Sequence, residues 1–502
     1  MKRFLKIKPI WFICILSFFS ALWVNQLNTK KLLEEVGKEA VRENRTVKTN
    51  DDASYLAPAI NFIETGVWKD NSIGKQSHFV RSPGYGIIYL CFTAISDSVS
   101  ALSLLKYFQL ILFSLSILWL FFIAQHLFNN NKWAYGIALI YGVLPFASGF
   151  LFYTLTERIT PALLLLYIYL LFKAESINQV QTKRILYFLA SFCFAYLLLI
   201  RPALGLFGLL IPLFILKDYG RKGAKKAITR AIFFGLIGLS FILTWQIRNY
   251  TITKEYVGIH SIYYKDGNSI YRPTFKAYWD FPLGMGQQGS EVHAYMVPMW
   301  GAAIKGDTSI TCVNNAIETF PKKVVDYFGK ERLTKAFRKY QEATLYQKAY
   351  YELEQPMPNE VSTIEHETII EFEALTDDFK SKFWVDYYFV SPAKVFKTMA
   401  FHSNLNLYIF QHTYRGNIVV EALRYLTFCI HSLSFIFLLI SLFFISKIDW
   451  RLASINFIVF AYVFYLCFFQ RGIEERYTLP ILSLVLIIGT KTFTELFRLL
   501  RR

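Results

Sequence analysis

Apolar stretches punctuate this chain from end to end. They lie near residues 9–26, 84–97, 101–125, 133–152, 157–173, 185–200, 202–216, 231–250, 421–446, 452–470 and 477–497. Several reach the roughly 20 residues that cross a bilayer core. In lipid a segment must satisfy its own backbone groups, so each reads as a helix. The stretch 84–97, at about 14 residues, is short for a span. Two regions are polar enough to stand outside the membrane. Residues 27–83 carry a helical pattern around 30–43 and an amphipathic helix from Tyr55 to Ile63, broken at Gly66. Residues 251–420 begin with strand- and turn-like composition from Tyr250 to Pro273. Helical patterns follow between about 322 and 352, then an acidic run from Glu352 to Asp378 with Pro356 and Pro358. A connection that long has a role of its own.

Charge orders these pieces. Basic residues cluster at the N-terminus, Lys132, Lys183-Arg184, Lys217 to Arg230, Lys447 to Arg451 and Arg498 to Arg502. They share one side only if 84–97 does not cross. Ten spans with both termini cytoplasmic then satisfy the positive-inside rule. The expected fold is an all-α polytopic membrane protein with about ten transmembrane helices, a half-inserted helix and a small, mostly helical extracytoplasmic subdomain. Three parts result: 1–250 with the outer loop 27–83, the large outer segment 251–420, and the closing helices 421–502. The N-terminus resembles a signal sequence without a clean cleavage site and reads as a retained first span.

Composition agrees. Hydrophobic residues make up 54% of the chain and charged residues only 18%, so the formal charge of +18 reads as topogenic rather than as a nucleic-acid footprint. Of six cysteines only Cys312 lies clearly outside an apolar run, without CxxC or Cys/His spacing. No disulfide framework and no structural zinc are expected.

The candidate chemistry gathers at one face. Asp51 and Asp52 open the stretch that follows the first span, with Tyr55 one helical turn on. Asp51 reads either as the cap of that helix or as a general base for an acceptor hydroxyl. Arg81 precedes Ser82-Pro83-Gly84-Tyr85 and reads either as a lipid-facing anchor or as a bidentate phosphate ligand. Glu157 sits beside Arg158 between two apolar runs, an ionisable residue where a site is the default reading. Arg201 interrupts an otherwise apolar run, with Pro202 opening the next helix. Arg248-Asn249-Tyr250 ends one span and Glu474-Glu475-Arg476-Tyr477 begins the last. Four arginines and these acids on one face exceed what interface anchoring needs. His402 and His412 flank an aromatic stretch and read as core or site. The acidic run reads as a solvated surface. No dinucleotide loop or P-loop is present, so an activated substrate would come from the membrane.

The order Asp-Asp-x-x-Tyr, helix, Gly, then Arg-Ser-Pro-Gly-Tyr resembles the first outer loop of GT-C glycosyltransferases. The nearest branch is the protein O-mannosyltransferase and aminoarabinose-transferase-like group, which uses dolichyl- or polyprenyl-phosphate sugars. Thr156-Glu157-Arg158, Arg201-Pro202, Trp245 to Tyr250 and Arg476-Tyr477-x-x-Pro480 resemble its later landmarks, in order. Here Arg-Ser-Pro stands where many relatives have Arg-Pro-Pro or Lys-Pro-Pro, and Glu157 where some have Asp. The resemblance covers most of 1–250 and 420–500 and leaves 255–395 without a counterpart.

The resemblance implies an inverting transferase that moves a sugar from a polyprenyl-phosphate donor to a lipid, glycan or protein acceptor. Asp51, Asp52 and Glu157 would be catalytic, with Asp51 taking the acceptor's proton. Arg81, Arg201, Arg248 and Arg476 would hold the donor phosphate. Tyr55, Tyr85, Asn249 and Tyr477 would contact substrate. A divalent cation (Mg or Mn), held by Asp51 and Glu157, is the candidate cofactor. The site would face outward from a bacterial inner or plasma membrane, in cell-envelope glycan biosynthesis. The rivals are a transporter or flippase of lipid-linked saccharides and an O-antigen-polymerase- or ligase-like enzyme. A transporter predicts repeats and midplane charges, and neither is visible in the sequence.

Overall fold

The computed structural model describes residues 9–49, 51–71, 77–79, 81–220, 223–258, 264–267, 272–285, 289–401, 416–447, 449–471 and 475–501. His402, His412 and Glu474 lie outside the described residues. Among those described, helices account for nearly all regular structure, and only isolated β-bridges interrupt them. Eight helices are long and apolar enough to cross a membrane: Pro9–Glu35, Ser98–Phe128, Val180–Ile200, Pro202–Tyr219, Ala224–Thr253, Ile418–Phe444, Trp450–Gln470 and Arg476–Leu500. The chain is an all-α integral membrane protein.

Two expected spans are shorter than the apolar pattern suggested. The stretch near 133–152 forms Asn131–Val143, only 13 residues, because Pro145 cannot continue it. The stretch near 157–173 forms Thr160–Ser176, 17 residues, delayed by the turn Thr156–Arg158. The helix expected around 30–43 is instead an extension of the first span to Glu35. Past it comes one turn, Gly37–Glu39, and a small loop closed by the Val41–Val47 bridge.

The helix Asp52–Thr65 ends as the sequence predicts. Gly66 takes φ 76°, a left-handed cap that only glycine adopts cheaply, and its N–H bonds Phe62 O. The short helix Gly84–Thr93 packs against Val180–Ile200 at Gly84. A Cβ there would stand 2.7 Å from Ile200 N. Large buried side chains such as Tyr141, Tyr167, Phe194 and Tyr462 fill the core between the membrane helices.

The long polar segment has a separate apolar core. Tyr278 stacks on Tyr340 at 4.1 Å, with Phe281, Phe337 and Phe372 around them. Among the described residues of Tyr250 to Pro273 no strand forms; 259–263 and 268–271 lie outside the described residues. The preceding helix runs on to Thr253, and a single turn follows at Tyr264–Asp266. The acidic run is half helix, not a uniformly solvated surface. Thr363–Lys382 starts on a capping box between Ser362 and Glu365, and Glu365 is completely buried against Arg272.

Candidate functional site

A cavity of about 410 Å³ opens where the helix Asp52–Thr65 meets the ends of three apolar helices. Asp51 stands at its wall, just before the helix, and its side chain makes no capping bond. Instead Oδ1 accepts from an Arg81 amino group at 2.7 Å and Oδ2 from an Arg476 amino group at 3.3 Å. The capping interpretation of Asp51 therefore fails. Its carboxylate keeps 35% of its surface exposed. Arg81 lies over the Tyr55 ring at 5.0 Å, a cation–π contact.

Glu157 forms the floor. The tight turn Thr156–Arg158 buries it to 4% exposure, and its Oε1 lies 3.0 Å from Arg201 and 3.9 Å from Arg476. Burial opposes its charge, but Arg201, Arg476 and Arg158 outweigh that and hold its carboxyl down to about 2. Burial pulls Arg201 down as well, and Glu157 more than reverses this, so Arg201 ends above its ordinary range. Arg201 reaches the cavity because the helix Val180–Ile200 stops there. Its backbone turns to φ −141°, ψ 88°, since the residue before a proline avoids the helical region. It also donates to Thr156 Oγ1 at 3.1 Å and sits 5.1 Å over Tyr477. Arg476 thus bridges both carboxylates from the start of the last helix.

Seven of the sequence-predicted residues converge here: Asp51, Tyr55, Arg81, Glu157, Arg201, Arg476 and Tyr477. The other four do not. Asp52 turns the opposite way, buried to 4% exposure, where it is ion-paired to Arg42 and accepts a bond from the Thr154 hydroxyl. Tyr85 is fully buried, donating to Gln109 at 3.0 Å, although its ring lies 5.7 Å from Tyr55. Arg248 is spent on main-chain carbonyls, those of Trp68 at 2.7 Å and His78 at 3.0 Å, and lies over Trp245. Asn249 is buried and accepts from Arg248 at 3.0 Å. Arg248 thereby ties the long helix Ala224–Thr253 to the loop before Gly84.

Sequence reading missed Tyr462, Tyr465 and Gln470, which line the cavity from the penultimate span. The tyrosines stand three apart in an apolar run that ends on Gln470, a spacing that puts both on one face. Arg158, which the sequence places beside Glu157, is not among the residues lining the cavity. It is buried to 2% exposure over the Phe150 ring at 4.4 Å, and burial pulls it down to about 9.

Among the described residues no group of three His, Cys, Asp or Glu is placed to hold a metal ion. Asp51 and Glu157 are both engaged by arginines, and a divalent cation would have to displace those contacts. As arranged, the donors suit an anion. Among the described residues lining the cavity, three guanidinium groups, of Arg81, Arg201 and Arg476, stand beside two carboxylates, of Asp51 and Glu157. No family model, curated protein or solved structure matches the chain.

Proposed function

We propose that the chain is a membrane glycosyltransferase, inverting in mechanism, that takes a sugar from a polyprenyl-phosphate donor. The observation that carries this reading is the half-exposed Asp51 held between Arg81 and Arg476, with Arg201 and Glu157 beneath. An acceptor hydroxyl entering the cavity would lose its proton to Asp51 as its oxygen bonds the anomeric carbon. The bond from that carbon to the phosphate oxygen breaks, and polyprenyl phosphate leaves with one more negative charge to stabilise. Arginines already fixed by carboxylates and aromatic faces supply that stabilisation without reorganising. Glu157 keeps Arg201 and Arg476 aimed, and Tyr55 and Tyr477 offer faces to the sugar.

The setting supports the same reading. A helix of the length of Gly84–Thr93 extends only about 15 Å, half of a roughly 30 Å core, as a half-inserted helix would. With Asn131–Val143 and Thr160–Ser176 added to the eight long helices, ten spans bring both termini to the cytoplasmic side. The cavity and the segment 251–420 then face outward, as in a bacterial plasma membrane.

Purified protein in nanodiscs, given radiolabelled polyprenyl-phosphate sugars and membrane extract, should release sugar from the carrier. Asp51→Asn should lower turnover by about two orders of magnitude or more. Full turnover in that variant would remove Asp51 from the mechanism. Movement of intact donor across the bilayer without transfer would favour a flippase instead.

A further inference from the structure

Asp51 and Asp52 are neighbours, yet they serve different places. Behind Asp52 lies a second pocket of about 370 Å³, lined by Lys38, Arg42 and Lys48 on one side and Val99 and Leu102 on the other. Its cationic wall is a small closed loop. Val41 and Val47 bridge, Arg42 N bonds Thr46 O at 2.9 Å, and Arg45 makes the turn at φ 65°. That loop is fixed at several points. Asn44 donates to Val99 O at 3.0 Å, Lys106 donates to Asn44 O, and Val47 N bonds Phe152 O at 2.8 Å. Asp52 anchors Arg42 by an ion pair. Lys38 and Lys48, both exposed, form no ion pair among the described residues; Lys48 reaches only the Lys38 carbonyl, at 3.3 Å. Among the described residues Glu43 is the one acid lining the pocket.

The opposite wall is the first turn of the span Ser98–Phe128. Val99 there is 55% exposed and Ile95 just before it 76%, as lipid-facing residues are. Orientation does not account for the cations. The first span already carries Lys2, Arg3, Lys6 and Lys8 at its other end, and the positive-inside rule needs a bias at one end only.

We infer that this pocket binds the phosphate of a lipid headgroup, with Lys38, Arg42 and Lys48 on the phosphate and Val99 and Leu102 along the first carbons of the chain. The phosphate belongs either to a bilayer phospholipid or to a lipid-linked substrate. Nothing in the inference requires sugar transfer, only a membrane and a phosphate. Asp52 acts here as a positioning residue, through Arg42.

The test is lipid binding by the full chain in detergent, followed by calorimetry. The probes are dioctanoyl phosphatidylglycerol, dioctanoyl phosphatidylcholine and farnesyl phosphate. An anionic probe should bind saturably and more weakly as salt rises. In the double variant Lys38→Gln, Lys48→Gln its Kd should rise about tenfold or more, since each lysine near a lipid surface is worth about 1 kcal/mol. Both lysines are exposed, so the lipid-free melting temperature should not move. Tighter binding of farnesyl phosphate assigns the pocket to a lipid-linked substrate, and tighter binding of phosphatidylglycerol to the bilayer. Equal affinity in wild type and variant, equal binding of phosphatidylcholine, or no saturable anion binding would overturn the inference. Asp51→Asn should leave this binding intact, so loss of sugar transfer and loss of the lipid site are read separately.

Discussion

Two sets of buried charge in this molecule are built on opposite plans. In the segment 272–382, Arg272 and Glu365 are both fully buried and matched one to one. Arg272 donates to both Glu365 oxygens, and to the carbonyls of Pro358 and Glu360 at 2.9 Å. Glu365 also accepts from Ser362 N at 2.9 Å and from Gln347 at 3.2 Å. Such a set has no capacity left for a ligand. At the cavity, two carboxylates are shared among Arg81, Arg201 and Arg476, and Asp51 stays partly open to solvent. Closed charge of the first kind ties down a fold. Charge of the second kind, shared among several partners and partly open to solvent, keeps room for a ligand.

The largest effect that would break this contrast is a structural one at Asp51. We expect Asp51→Asn to lower sugar transfer by roughly two to four orders of magnitude with a nearly unchanged melting temperature. A drop of many degrees without ligand would make Asp51 structural, like Glu365. At the closed pair the readouts should exchange. Arg272→Ala strands a carboxylate in an apolar core and should cost about 3–5 kcal/mol. Limited proteolysis would then cut within 272–382 before the membrane helices unfold. Replacing both partners together, Arg272→Met with Glu365→Leu, should restore most of that loss, because a matched pair and an apolar pair are close in free energy.

Glu157 sharpens the comparison because it belongs to the open set yet is buried like the closed one. Its folded value of about 2 lies below the ordinary 4.5. A depressed carboxyl stabilises the fold above its ordinary value and loses that contribution as pH falls toward the folded value. The contribution is roughly 3 kcal/mol near neutral pH. The stability gap between wild type and Glu157→Gln should therefore be widest near pH 7 and close between about pH 4.5 and 2. A gap that stays constant through that window would mean Glu157 acts through packing rather than charge.

How far these features could be read beforehand depended on what each residue interrupted. Arg201 was legible because it broke an apolar run, and Arg81 because a proline and a glycine followed it. Tyr462 and Tyr465 were not, since a tyrosine inside an apolar run disturbs nothing in the pattern. Asp51 was legible as the candidate base, but Asp52 stayed beside it in the catalytic set for a geometric reason: adjacent residues at a helix start point about 100° apart, and only tertiary packing decides which faces the cavity. The same packing took Arg248 and Tyr85 out of the site. In the segment after the eighth apolar stretch, strand- and turn-like composition suggested strands at Tyr250 to Pro273. Tyr250–Thr253 instead continues a helix already propagating from Ala224, and extending a helix is far cheaper than starting a strand without a partner.

The smallest change that tests the open set alters no charge at all. Gly84 lies against the last turn of Val180–Ile200, and an added Cβ would meet Ile200 N at 2.7 Å and Leu199 C at 2.8 Å. These are backbone atoms and cannot swing aside as a side chain could. Gly84→Ala must push the short helix Gly84–Thr93 away from the corner that presents Arg201, at a cost of about 1–3 kcal/mol. The Tyr196 hydroxyl, which donates to Gly84 O at 2.8 Å, would lengthen its bond. Arg81, three residues upstream, would shift relative to Arg201. If the spacing of the arginines matters, turnover should fall roughly tenfold or more, because catalysis is sensitive to displacements of an ångström. The closed pair at Arg272 and Glu365 should not respond, and proteolysis of 272–382 should match wild type. Unchanged turnover alongside the lowered melting temperature would mean that the arginines act by their summed charge rather than by their positions.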